Sequence, residues 1–154
     1  AIVAMLAWPL VRRRKGDIAG AERILREAVT TSPLDAEAFM FLADAAERLG
    51  HDAAARDALV SFDALLGGTV PGHARAARAE RIGTLSMRAG DPGAAVSYLT
   101  EAVNLGQAAI ETLALLARAK WLTGDVPGAK ETLARALVID PRNSELLRLA
   151  RAIK

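Results

Sequence analysis

The chain has 154 residues, one domain's worth, and is long enough to bury a continuous core. It has no cysteine, which excludes a disulfide framework and a thiolate metal site. The net charge of +2 is unevenly spread, with residues 1–15 carrying four positive charges and no negative ones, residues 16–66 four and ten, and residues 67–154 twelve and eight; the acidic middle would repel a polyanion, which argues against nucleic acid as a partner.

Alanine, leucine and arginine dominate while β-branched and aromatic residues are sparse, and this predicts an all-helical chain. Residues 1–11, AIVAMLAWPLV, are almost wholly apolar and run into Arg12-Arg13-Arg14-Lys15. Eleven residues fall short of the about 20 needed to cross a hydrocarbon core. The stretch reads as the first helix of a repeating array, although Pro9 interrupts it. The alternative is a membrane-tethered cell-envelope assembly factor whose anchor spans upstream of Ala1 and ends near Val11, followed by the basic cluster. Membrane contact is expected only through such upstream residues. A cytoplasmic location is the reading taken, with a periplasmic or membrane-associated one if residues 1–11 end an anchor.

Gly16 reads as a helix-closing residue and Asp17 as the cap of a helix running to Thr31, where Ser32-Pro33 stops it. Its apolar stripe is Ala21, Ile24, Leu25, Ala28 and Val29. Asp35 opens the next helix, with Phe39, Leu42, Ala43, Ala46 and Leu49 on its inner face, and Gly50 ends it. The following helix carries Ala55, Leu59 and Phe62. Gly67-Gly68 and Pro71-Gly72 predict a long connection over 67–73. A helix from about Ala74 to Ala89 follows, then Gly90 and the cap-and-proline pair Asp91-Pro92. Ala95, Leu99 and Ala102 lie on the next helix, ending near Gly106. Another runs from about Ala108 to Thr123, then Gly124 and a helix to Pro141. A last helix starts at Asn143 and reaches the chain end, either as a cap or as the cut edge of a longer array.

One skeleton recurs through these elements. Gly16, Gly50, Gly90 and Gly124 each stand five residues before an alanine, at 21, 55, 95 and 129, and a leucine follows four residues later at 25, 59, 99 and 133. The glycine spacings are 34, 40 and 34 residues, and a fixed period of this size marks a repeat array. With that period and the helix–turn–helix unit, the chain resembles the tetratricopeptide repeat family. Ala43, Gly83 and Ala117 supply the small residue expected within the first helix of a unit; Ala79, Leu113, Ala46, Ser86 and Lys120 stand where the family's aromatic residues are usual. The resemblance implies an all-α, right-handed superhelical α-solenoid of antiparallel helix pairs. As a single domain over 1–154 it would comprise repeats at about 2–33, 36–66, 76–107 and 110–141, with a terminal helix at 143–154.

Sequence motifs for chemistry are missing. The chain contains no HExxH, G-x-S-x-G, P-loop or dinucleotide fingerprint, and Gly-Asp-Pro-Gly at 90–93 lacks the lysine of a phosphate loop. His51 and His73 are read as exposed loop histidines, and the carboxylates as outward-facing or capping. No catalytic, metal or cofactor-binding residue is assigned, and the chain is read as non-enzymatic.

The resemblance implies a non-enzymatic bacterial interaction scaffold that holds a protein or peptide partner in a groove lined by the first helix of each pair. The groove residues it implies are Met40, Phe41, Asp44 and Arg48, then Arg81, Met87 and Arg88, then Leu115, Arg118 and Trp121, with Arg148 on the last helix. The same register adds Glu37 and Glu47, Ala77, Glu80 and Thr84, Glu111, Ala114 and Leu122, and Glu145. The arginines suit carboxylates, and the methionines and aromatics suit apolar side chains. The clamp by which some members hold a chaperone's C-terminal carboxylate needs lysines and asparagines where Met40, Phe41, Asp44, Ala77 and Arg81 stand, and only Arg81 fits. A uncovered apolar face on the last helix, formed by Leu146, Leu147, Leu149, Ala150 and Ile153, would also allow a homo-oligomer.

Overall fold

A computed structural model describes residues 17–67 and 71–153. The expectation for residues 1–15, as first helix or anchor end, lies outside the described residues. Among those described there are eight helices and no strand, and the chain divides into two compact units, Ala1–Val70 and Pro71–Lys154.

The first unit contains α1 (Ile18–Thr31), α2 (Ala36–Arg48) and α3 (Asp52–Leu66). Asp17 starts α1 by accepting a hydrogen bond from the Gly20 amide at 2.7 Å, which satisfies one of the orphan donors of the first turn. Ala21, Leu25 and Ala28 are buried along one face, with Ile24 and Val29 half-buried beside them. Asp35 caps α2 through the Ala38 amide at 3.2 Å. Its inner surface is Ala38, Leu42, Ala43, Ala45 and Ala46. That surface is mostly alanine because α2 packs against both α1 and α3, and small side chains let the three backbones approach. Leu59 and Ala55 close the other side from α3.

The second unit runs α4 (Gly72–Arg88), α5 (Pro92–Asn104), α6 (Ile110–Leu122), α7 (Val126–Ile139) and α8 (Ser144–Ala152). Each packs on the next, and α4 also touches α6. Two residues of the expected 67–73 connection, Gly72 and His73, are helical. Pro71 is the N-cap and its carbonyl accepts from the Ala74 and Arg75 amides at 3.0 and 3.1 Å, so the proline ends the connection rather than sitting within it.

The turn at Gly124 shows how the pairs are joined. Its φ of +86° lies in the left-handed region, where a side chain would be strained. The Asp125 amide reaches back to the Lys120 carbonyl at 2.9 Å and the Gly124 amide to the Trp121 carbonyl at 3.0 Å, a Schellman closure of α6. Asp125 then caps α7 through the Gly128 amide at 3.0 Å. Gly50, Gly90 and Gly106 close α2, α4 and α5 in the same way.

Helices α4 and α5 cross closely at Gly83. A Cβ on Gly83 would lie 2.6 Å from Cγ of Leu99 and 3.3 Å from its backbone nitrogen. Leu99 is fully buried, in a core with Leu113, Leu116, Leu133 and Leu146.

The apolar face expected to lie bare on the last helix is instead divided. Leu146 and Ile153 are buried at 0% and 3% exposure, and Leu149 packs beside them against the core formed with α6 and α7. Leu147 and Ala150 stay exposed. The five residues span more than one helical face, and the 3.6-residue turn puts 146, 149 and 153 together on the inner one.

Candidate functional site

Helix α6 has apolar side chains on two faces. Thr112, Leu113, Leu116, Ala117 and Ala119 are buried toward its neighbours. Ile110, Ala114, Leu115 and Trp121 form the second stripe, half-buried, with Glu111 and Arg118 exposed among them. On α8, Leu146 anchors the helix inward while Glu145 and Arg148 are exposed on its outer side. Asn143 fixes its start by accepting from the Glu145 and Leu146 amides at 3.1 and 3.2 Å.

Between the second face of α6 and helix α8 lies a groove of about 440 Å³. Its walls are Ile110, Glu111, Ala114, Leu115, Arg118 and Trp121 from α6, and Glu145, Leu146, Arg148, Leu149 and Ala152 from α8, with Asn143 at the α8 cap. Trp121, Leu115 and Leu149 rest on the core cluster and form an apolar floor. Lys120, next to Trp121, turns away: its Nζ donates to Thr132 Oγ1 at 3.0 Å, and Thr132 donates to the Gly128 carbonyl at 2.8 Å. Glu111, Glu145, Arg118 and Arg148 take part in no ion pair among the described residues. Four unneutralised charges therefore border an apolar floor.

Four of the eleven residues singled out by sequence, Leu115, Arg118, Trp121 and Arg148, line this groove. Arg81, Met87 and Arg88 stand on α4 of the same unit, outside its lining, with Met87 packed against the core cluster. Met40, Phe41, Asp44 and Arg48 stand on α2 of the first unit, where Phe41 packs on Ala28 and Ala38 and Arg48 is exposed. Leu122, also expected in the groove, is outside its lining and 54% exposed. Leu149 and Ala152 were missed as groove residues. They stand 34 residues after Leu115 and Arg118, so the repeat register would have found them.

Two carboxylates depart from the outward or capping role. Glu80 accepts from Gln107 Nε2 at 2.8 Å and from the hydroxyl of Thr112, tying α4 to the start of α6 instead of facing a groove. Glu22 is only 6% exposed. It accepts from Arg26 Nη2 at 2.7 Å and meets Nδ1 of His51 at 2.9 Å. His51 occupies the turn position that is aspartate at 17, 91 and 125, and its side chain makes no cap bond to α3. It is exposed in the turn as expected, and it also ties the α2–α3 turn to α1. Its departure from the aspartate pattern was the sequence signal.

Burial raises the Glu22 carboxyl, but the hydrogen bonds from Arg26 and His51 and their charges outweigh it, leaving the group below its ordinary value. A depressed folded-state pKa means the unfolded chain binds the proton more tightly. The stabilisation is then present above the unfolded value, about 4.3, and lost as pH falls through the folded one. Wild type should exceed Glu22→Gln in urea melts at neutral pH, with the gap closing below about pH 4. An unchanged gap in stronger acid would contradict this account.

Among the described residues, no three His, Cys, Asp or Glu side chains gather as a metal site, and no helix is long and apolar enough to cross a membrane.

Two tetratricopeptide repeat family models match the chain, one over residues 86–153 and one over 10–61. No curated protein matches. Among solved structures, a crystal structure of MamA protein superposes with a TM-score of 0.73 at 19% identity, covering 99% of this chain and 79% of its own. MamA 41-end from Desulfovibrio magneticus RS-1 gives 0.70 at 20% identity, covering 95% and 80%. YrrB, described as a TPR protein with an unusual peptide-binding site, gives 0.71 at 18% identity, covering 94% and 71%. At these identities the likeness is one of fold.

Proposed function

The chain belongs to the tetratricopeptide repeat family, an all-α solenoid of helix pairs, and from that premise we propose that it is a non-enzymatic module that binds a segment of a partner protein in the α6–α8 groove. Repeats of this kind serve protein interaction in general; the groove and its occupant are our reading. The observation that carries it is the α6–α8 groove itself: an apolar floor of Leu115, Trp121 and Leu149 with Arg118 and Arg148 exposed at its walls. Tryptophan and arginine are the side chains that most often dominate binding energy, because each buries a large area around a directed polar group. That one similar structure is of a protein with a peptide-binding site agrees with this reading.

The test is selection of randomly displayed peptides on the whole protein. Peptides enriched on wild type should bind Trp121→Ala about 30-fold more weakly, equivalent to about 2 kcal/mol. Because Trp121 also touches the core, the exposed Arg118→Glu should be run beside it; its thermal melt should match wild type while peptide binding weakens. Selected peptides that bind both variants as wild type would place the binding surface elsewhere.

A further inference from the structure

The groove has a built-in direction. Helices α6 and α8 are separated by the single helix α7 and packed through it, so they run the same way. Glu111 and Glu145 stand together at their N-terminal ends, 34 residues apart in sequence. By the same 34-residue register Arg148 of α8 falls level with Ala114 about one turn in, and Arg118 of α6 level with Ala152 about two turns in, all four lining the groove. Trp121 closes the far end. With a rise of about 1.5 Å per residue, the two arginines centre about 8 Å from the acidic pair, and Trp121 lies about 15 Å from it.

We propose that the occupant is a short extended protein segment held in one orientation along the groove, its order being a basic side chain, then a carboxylate about two residues on, then an apolar side chain about two residues beyond. The inference rests on the groove reading above. The basic side chain meets Glu111 and Glu145, the carboxylate reaches Arg148 and Arg118, and the apolar one covers Trp121. An extended chain advances about 3.3 Å per residue, so five residues match the length from the acidic pair to the tryptophan. A helix is a poor match. The nine residues of α8 span about 14 Å, little more than two helical turns of contact. All four charges lack ion-pair partners among the described residues, so an occupant need not displace an existing bridge. A segment laid in reverse would keep its carboxylate on the arginines but set its apolar side chain against Glu111 and Glu145, losing that ion pair and leaving both carboxylates unmatched, which weakens binding.

The experiment is to sequence the peptides that a random displayed library yields on wild type at low salt, and on a variant with the groove charges exchanged: Glu111→Arg, Glu145→Arg, Arg118→Glu and Arg148→Glu. Wild type should enrich the order basic, acidic, apolar at two-residue spacing, and the variant should enrich acidic, basic, apolar. A synthetic wild-type consensus peptide should bind wild type about tenfold more tightly than the same peptide with its two charges exchanged, a difference that added salt shrinks. If the exchanged variant fails to fold, this peptide pair on wild type decides. Peptides that need Trp121 but show no charge order would overturn the inference and leave the groove reading standing. Absence of any Trp121-dependent peptide would overturn both.

Discussion

Leu99→Ala should remove about 3–5 kcal/mol of stability, the range for a fully buried leucine in a core that cannot collapse around the gap. Leu99 is such a residue: its exposure is 0%, and it lies where α5 crosses Gly83 of α4. The informative companion is Gly83→Ala. Alanine is the better helix former by about 1 kcal/mol, yet its Cβ would sit 2.6 Å from Cγ of Leu99 and 3.3 Å from a backbone nitrogen. Neither is the free end of a flexible chain, so α4 and α5 must separate. Overpacking of this kind costs about 1–3 kcal/mol, enough to outweigh the propensity gain. With Leu99 also cut to alanine the side-chain clash goes and only the 3.3 Å approach to the backbone nitrogen is left, which a small shift relieves, so the glycine-to-alanine change should turn neutral or stabilising. A double-mutant cycle in denaturant melts checks this change of sign. Simple additivity would show that the crossing is looser than the backbone separation implies.

Glu80→Ala should cost about 1–3 kcal/mol, because it strips a hydrogen-bond acceptor from a buried hydroxyl. Thr112 is 2% exposed and donates to Glu80, which also takes Gln107 at 2.8 Å. Removing the hydroxyl as well, in Glu80→Ala with Thr112→Val, should recover much of the loss, since no unpaired polar group is then left in the interior. A double variant as unstable as the sum of the two singles would contradict this account of the contact. Binding at the α6–α8 groove should be unaffected by Thr112→Val, because Thr112 lies on the opposite, buried face of α6.

How much of this was legible in the residues depends on whether a role is periodic. The caps at Asp17, Asp35, Asp91, Asp125 and Asn143, the glycine turns, and the buried alanines and leucines of each helix all repeat. Repetition made them readable from one chain. Glu22–His51 and Glu80–Thr112 occur once each. They join residues 29 and 32 apart, and no local pattern distinguishes such carboxylates from solvated ones. The groove falls between these cases. Register along α6 placed Leu115, Arg118 and Trp121 on one face, since helical geometry fixes that face. Register could not supply the inward turn of α8, which depends on Leu146 and Ile153 finding the core.

That inward turn gives α8 two duties that cannot be separated. Its Leu146 and Ile153 complete the core, while Glu145, Arg148 and Ala152 on the same nine-residue helix form one wall of the groove. A helix this short, held by few buried side chains, is apt to detach locally, and anything that bridges it to α6 binds only the attached state. Affinity at the groove and the docking equilibrium of α8 are therefore linked: whatever loosens the helix weakens recognition without touching a contact residue, and an occupant returns the favour by holding α8 docked.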